Sequence, residues 1–196
     1  MTHQDQTHTT ATSVVRRSDR RRRLARAALA VTCVAGLGIA GAGTARAAGA
    51  ASATPTCSVS QLSASFGETL AGGMNHQGVV VKLKNTSART CLLRGYPGLG
   101  LENAAHRTLP STTHWGDTWY AKSPPKTTLT LRKGQSAEAV IAWTHANTGS
   151  SGAVHAAYLQ VTPPAATSHK TLEFPEWVDH GDLRVTALAY RIHVTP

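Results

Sequence analysis

From residue 57 to the C-terminus, apolar side chains recur at every second position. In "VVVKLKN", Val79, Val81 and Leu83 share one face while Lys82 and Lys84 share the other, the alternation of a strand with one buried side. "TLTLRKG" repeats it with Leu129 and Leu131 and stops at Gly134. "SAEAVIAW" sets Ala137, Ala139, Ile141 and Trp143 against Ser136, Glu138 and Val140. "AYLQVTPP" supplies Leu159 and Val161 before Pro163 and Pro164, and "LRVTALAY" supplies Leu183, Val185 and Ala187 opposite Arg184 and Thr186. "QLSASF" and "CLLRG" are shorter candidates. Turn formers punctuate these runs at Gly72-Gly73, Asn85-Thr86-Ser87, Gly95-Tyr96-Pro97-Gly98 and Gly149-Ser150-Ser151-Gly152. No stretch after Ala53 keeps a helical period. About seven short strands with polar outer faces predict an all-β sandwich, with a barrel as the second choice. Such strands bury one side only, so two sheets must face each other.

The N-terminal quarter has a different composition. "RRSDRRRRLAR" is a positive n-region and "AALAVTCVAGLGIAGAG" a weakly apolar run of small residues. Ala45-Arg46-Ala47 then offers a small-x-small cleavage site, which is the order of a secretory signal peptide. The alternative is a retained anchor, but Ala- and Gly-rich runs gain little from burial in hydrocarbon. The arginine cluster hints at twin-arginine export, although Leu24-Ala25 stands where a more apolar pair is expected. Residues 1–47 are thus read as a signal peptide, 48–56 as a flexible tether and 57–196 as one domain. The cleaved product is expected to be secreted and to meet the membrane only transiently, during export.

That division changes the meaning of the charge. The chain of 196 residues has 20 Lys+Arg against 10 Asp+Glu. Eight of the arginines and two of the aspartates precede residue 48, leaving twelve basic against eight acidic groups in the domain. Composition therefore gives no support to a nucleic-acid partner. Cys33 lies in the apolar run, so export leaves two cysteines, Cys57 and Cys91. An even count in an exported chain reads as a disulfide. Two buried free thiols are the alternative, and a zinc site lacks the paired spacing it would need.

One longer pattern is shared with a known family. Cys57, Leu62, "VVVKLKNTS" from Val79 to Ser87, "CLLRGYPG" from Cys91 to Gly98, "LRKGQSA" from Leu131 to Ala137, and Trp143 together resemble the DUF4232 family. These are exported, mostly actinobacterial proteins of unassigned function. The resemblance implies an immunoglobulin-like antiparallel β-sandwich and a bridge between Cys57 and Cys91. It brings no catalytic residue. Many relatives have a second cysteine pair, before the "YLQVTPP" strand and before the last strand; here "GAVHAAYLQ" and "WVDHGDLRV" contain none. Within the "GYPG" corner, Gly95, Pro97 and Gly98 predict a sharp bend, with Tyr96 packed across it and its hydroxyl bonded to backbone.

Candidate chemistry is sparse. His76, His106, His114, His145, His155, His169, His180 and His193 form neither an i, i+4 pair nor a His-x-His pair, so no metal and no cofactor are expected. His145, His155 and His180 are the set that could meet in space, and a histidine-based metal domain is one alternative function. "GQSAE" lacks the second glycine of a nucleophile elbow. Glu173 with Glu176, or Asp179 with Asp182, are the carboxylates an extracytoplasmic hydrolase would use. They lie in a segment, "LEFPEWVDHGD", that reads as exposed. Aromatic loops are the most promising feature: "HWGDTWYAK" gathers Trp115, Trp119 and Tyr120, and "EFPEWVDH" adds Phe174 and Trp177. Flat rings in loops suit sugars and peptides. The expectation is a monomeric, non-catalytic binding module for cell-wall polysaccharide or a secreted protein, with these rings as the contact or, alternatively, as plugs for the sandwich ends.

Overall fold

The computed structural model describes residues 53–195; the leader and most of the tether fall outside them. The described residues form twelve strands and one short 3-10 turn, Val59–Gln61. The strands are β1 (Leu62–Ala71), β2 (His76–Asn85), β3 (Cys91–Leu93), β4 (Gly98–Glu102), β5 (Thr108–Leu109) and β6 (Thr112–Trp115). They continue as β7 (Leu129–Leu131), β8 (Ser136–His145), β9 (Ala153–His155), β10 (Tyr158–Thr162), β11 (Lys170–Glu173) and β12 (Trp177–Val185). Among the described residues no helix is long and apolar enough to cross a membrane.

A six-stranded sheet runs β1-β2-β8-β12-β6, with β9 also on β12. Opposite it stand a four-stranded sheet, β11-β10-β4-β5, and the β3-β7 pair. Their inward side chains form one core. Val79, Val81, Leu83, Ile141, Trp143, Leu183 and Val185 of the large sheet meet Leu93, Leu101, Leu131, Leu159 and Val161 of the facing layer. This is the predicted sandwich. All ladders are antiparallel except β6 on β12, which is parallel.

Cys57 and Cys91 are joined in a disulfide, and the backbone around it is locked as well. Cys57 N–H donates to the Leu92 carbonyl at 2.9 Å, and Leu92 N–H donates to Pro55 at 2.9 Å. The sulfur bridge thus fastens the start of the domain alongside β3. Asn85, fully buried at the end of β2, does the same for the next corner. Its Nδ2 donates to the carbonyls of Arg89 (2.7 Å) and Leu131 (2.8 Å), and its Oδ1 accepts from the Ser87 N–H at 2.9 Å. A residue with the look of a turn signal is therefore a buried hub.

Three expectations need correction. The central strands are not half-wet. Val80, Val140 and Ala142 face away from the main core, yet they are buried beneath Tyr120, Ala121 and Ile192, with Val194 packed alongside. Long runs such as Val79-Val80-Val81 are those of strands covered on both faces. Secondly, the last strand starts earlier and ends sooner than "LRVTALAY" suggests. It spans Trp177–Val185, after which the Thr186 hydroxyl accepts from Val140 N–H at 3.0 Å and Leu188 N–H turns to Gly95. The "exposed" segment is accordingly half sheet, and Phe174 within it is 3% exposed, edge-on to Trp143. Thirdly, the Tyr96 hydroxyl does not bond to backbone. It accepts from Ser123 Oγ at 3.2 Å, and Ser123 in turn accepts from Ala187 N–H at 3.0 Å.

Candidate functional site

The aromatic residues of "HWGDTWYAK" separate into three environments. Trp115 ends β6 at 66% exposure and stacks on Tyr96, with centroids 5.7 Å apart and planes 8° from parallel. Trp119 is 41% exposed and stacks on the His76 ring at 3.8 Å, with the Arg184 guanidinium 5.2 Å from its centroid. Tyr120, expected in an exposed loop, is only 7% exposed. Its hydroxyl donates to the His76 carbonyl at 2.7 Å. Burial pushes that hydroxyl above its usual pKa, against the opposing effect of backbone hydrogen bonding. Trp177 opens β12 and stacks on His155 at 4.4 Å. Since Trp115 pairs with Val185 at the far end of β12, Trp115 and Trp177 stand about 25 Å apart along the strand. They do not form one surface.

What the fold does assemble is the end of the β1–β2 hairpin. The turn passes through Met74 and Asn75, both at positive φ (57° and 62°), the twist a tight hairpin requires. β1 is an edge strand with a register shift between Phe66 and Thr69, the kind of bulge that redirects side chains beside binding sites. Tyr120 lies against Gly78, whose missing side chain makes the contact possible: a Cβ there would stand 2.7 Å from Tyr120 Cδ2. Thr195 N–H donates to the Tyr120 carbonyl at 2.7 Å, which ties down the C-terminal segment as the opposite wall.

Between these walls opens a cleft of about 740 Å³, lined chiefly by Leu70, Met74, His76, Trp119, Tyr120 and Ile192. Its size lies in the range of small-molecule and oligomer sites. Thr69 also lines a second recess of about 200 Å³, formed with Phe66, Trp143, Glu173, Phe174 and Glu176 at the open end of the sandwich. The cleft lies on the outer face of the large sheet and the recess on its inner face, with Thr69 of the edge strand bordering both. Three buried polar atoms find no hydrogen-bond partner among the described residues: His76 Nδ1, Trp143 Nε1 and His145 Nδ1. All three sit at this end, since His76 pairs with Thr144, between Trp143 and His145. Unpaired buried polar groups are costly and concentrate at functional positions.

The electrostatics of the recess are acidic. Glu173 and Glu176 line it and no lysine or arginine does. Burial raises the Glu176 carboxyl above the ordinary glutamate value, and the nearby His145 ring, 3.8 Å away, opposes the shift. Of the carboxylates considered for hydrolysis, the fold therefore unites Glu173 with Glu176. Asp182 instead faces His114 at 3.3 Å, and Asp179 lies 3.8 Å from His180.

A second polar cluster went unanticipated in the sequence. Glu102 is buried on the outer side of β4, accepting from Gln160 Nε2 and lying 2.9 Å from His106 Nδ1 and 3.5 Å from His169 Nε2. The Gln160 hydrogen bond is the largest influence holding its carboxyl below the ordinary value; burial opposes it and the two histidines reinforce it. The residues come from three separate segments, so no local motif could announce them. Among the described residues no group of three or more His, Cys, Asp or Glu stands where it could hold a metal ion. His145 and His155 flank β12, opposite Val178 and Trp177 respectively.

A family model described as "Domain of unknown function (DUF4232)" matches residues 57–189. No curated protein and no solved structure matches the chain.

Proposed function

The chain belongs to the DUF4232 family, whose description names no activity, and from that premise we propose a non-catalytic binding domain. It works outside the cytoplasmic membrane, at the cell envelope or beyond it, and seats polysaccharide at the hairpin end of its sandwich. The observation that carries this reading is Trp119, held flat against His76 at the rim of the cleft. A stacked, half-exposed indole offers area to a sugar ring with little further loss of side-chain entropy. Trp115 supplies a second such face, and the four-residue spacing keeps the two Cα atoms within about 14 Å of each other. The disulfide and the signal-like leader both suit an oxidising compartment. The domain acts as a monomer and needs no cofactor.

Retention of the purified protein on insoluble cell-wall polysaccharide tests the reading. Trp119→Ala should lose most of the retention, and Trp115→Ala part of it, while both variants keep the wild-type melting temperature. Retention unaffected by either substitution, or capture of a secreted protein in its place, contradicts polysaccharide binding at this surface.

A specific observation also keeps a hydrolytic reading in view: Glu173 and Glu176 line one recess, and burial shifts the Glu176 carboxyl upward, the direction a general acid needs. Reducing-end release from the bound polysaccharide, abolished by Glu176→Gln, would replace binding by turnover. Binding without release excludes it.

A further inference from the structure

The recess of about 200 Å³ carries more chemical information than the larger cleft, and its interpretation rests on polysaccharide being the ligand. Its walls are of three kinds. Phe66 and Phe174, with centroids 6.1 Å apart, supply apolar surface. Glu173 and Glu176 supply hydrogen-bond acceptors. Trp143, 3% exposed, also lines it, and its indole N–H, buried behind the wall, has no acceptor among the described residues.

A bound ammonium would suit the carboxylates but leave the indole N–H unpaired, because an ammonium is a donor only. A plain hydroxylated ring would leave the phenylalanine walls facing polar groups. A single bridging water, with a share of about 30 Å³, would leave most of the space to bulk solvent. One common group matches all three walls at once. The acetamido substituent of an amino sugar has a carbonyl to accept from Trp143 Nε1, an N–H to donate to Glu176 or Glu173, and a methyl to pack on Phe66 and Phe174.

We infer that this recess is a specificity subsite for the acetamido group of a 2-acetamido sugar within the polysaccharide that crosses the adjoining cleft. Thr69 on the edge strand borders both, the cleft on the outer face of the large sheet and the recess on its inner face, so a polysaccharide chain in the cleft reaches the recess around the β1 edge. Trp143 Nε1 is closed off from solvent, so seating the carbonyl requires a side-chain adjustment in the recess wall. Adjustments of that scale are common on binding.

The test compares three soluble β-linked tetrasaccharides by calorimetry with the full domain: N-acetylglucosamine, glucosamine and glucose oligomers. The acetylated oligomer should bind about five- to tenfold more tightly than either other. Trp143→Phe, which keeps an aromatic core but removes the N–H, should weaken its binding about five- to tenfold, the worth of one buried hydrogen bond, and erase the preference. If Trp143→Phe melts early, Glu176→Ala at the rim serves the same purpose and should also erase the preference. Equal affinity for all three oligomers, tighter binding of the glucosamine oligomer, or a preference that survives both substitutions overturns the subsite. The two readings separate cleanly. Retention that depends on Trp119 with no acetyl preference defeats the subsite and leaves the cleft; an acetyl preference indifferent to Trp119→Ala defeats the cleft and leaves the recess.

Discussion

Replacing Gly78 by alanine probes how the cleft is built. An alanine Cβ at this position would sit 2.7 and 2.8 Å from Tyr120 Cδ2 and Cε2, and 2.9 Å from the Ile141 carbonyl oxygen. The carbonyl belongs to the centre of the sheet and has little freedom to retreat, so the ring must lift. Overpacking of this kind costs about 1–3 kcal/mol. Lifting the ring also endangers the 2.7 Å hydrogen bond from its hydroxyl to His76, a further contribution of about 0.5–1.5 kcal/mol. Against this, alanine is favoured over glycine in a strand by about 0.5–1 kcal/mol of chain entropy. The expected net loss is about 1–3 kcal/mol, read by urea unfolding of the disulfide-intact domain. Gly73→Ala is the control, since no atom lies within 4 Å of its would-be Cβ, and its stability should change by less than about 0.5 kcal/mol. Tyr120→Ala in the Gly78→Ala background should remove the clash with the ring and leave the one with the Ile141 carbonyl, giving a coupling energy of about 1 kcal/mol or more in the double-mutant cycle. A Gly78→Ala protein as stable as wild type, or a cycle that closes to zero, would refute the packing of Tyr120 on β2.

Other perturbations have equally definite outcomes. Replacing both Cys57 and Cys91 by serine should cost about 3–4 kcal/mol by the loop-closure relation for their separation of 34 residues, and a reductant should lower the wild-type melting temperature comparably. Asn85→Ala strands the buried Leu131 carbonyl and frees the Arg89 and Ser87 contacts, with an expected loss of about 2–4 kcal/mol in the same urea assay. Glu102 has a folded pKa below its ordinary 4.5, so its stabilising contribution is complete above that pH and disappears as the pH falls through the folded value; Glu102→Gln should flatten this acid limb of the melting profile. Glu176 is shifted the other way. Its contribution is lost as pH rises above 4.5 through the raised folded value, so Glu176→Gln should stabilise the domain at neutral pH.

How legible the molecule is from sequence varies with the range of the interaction. Strands β2, β7, β8 and β10 follow directly from their alternation, and the cysteine count matches the Cys57–Cys91 bridge that the structure contains. Burial of the outer face is harder to foresee, because Tyr120 and Gly78 are far apart in the chain and neither has a local motif. One clue is present: Gly78 sits inside a strand, directly before three consecutive valines, and such a glycine often marks the close approach of another group. The aromatic loop illustrates the opposite failure. Trp115, Trp119 and Tyr120 are neighbours in sequence, but the parallel β6–β12 pairing holds the first at the sheet edge while the third turns under the C-terminal segment. The Glu102 cluster draws on β4, β10 and two turns, and only the register of β4 with β10, Gly100 opposite Gln160, brings them together.

The four tryptophans, Trp115, Trp119, Trp143 and Trp177, provide four indole N–H resonances distributed over distinct parts of the surface and core. Titrating soluble cell-wall polysaccharide fragments into nitrogen-15-labelled domain reads all four at once. Binding at the hairpin end predicts that Trp119 moves most, with Trp143 following, and that Trp177, stacked on His155 and not among the residues that line the cleft, moves least. A shift confined to Trp177, with Trp119 unmoved at saturating fragment, would contradict it.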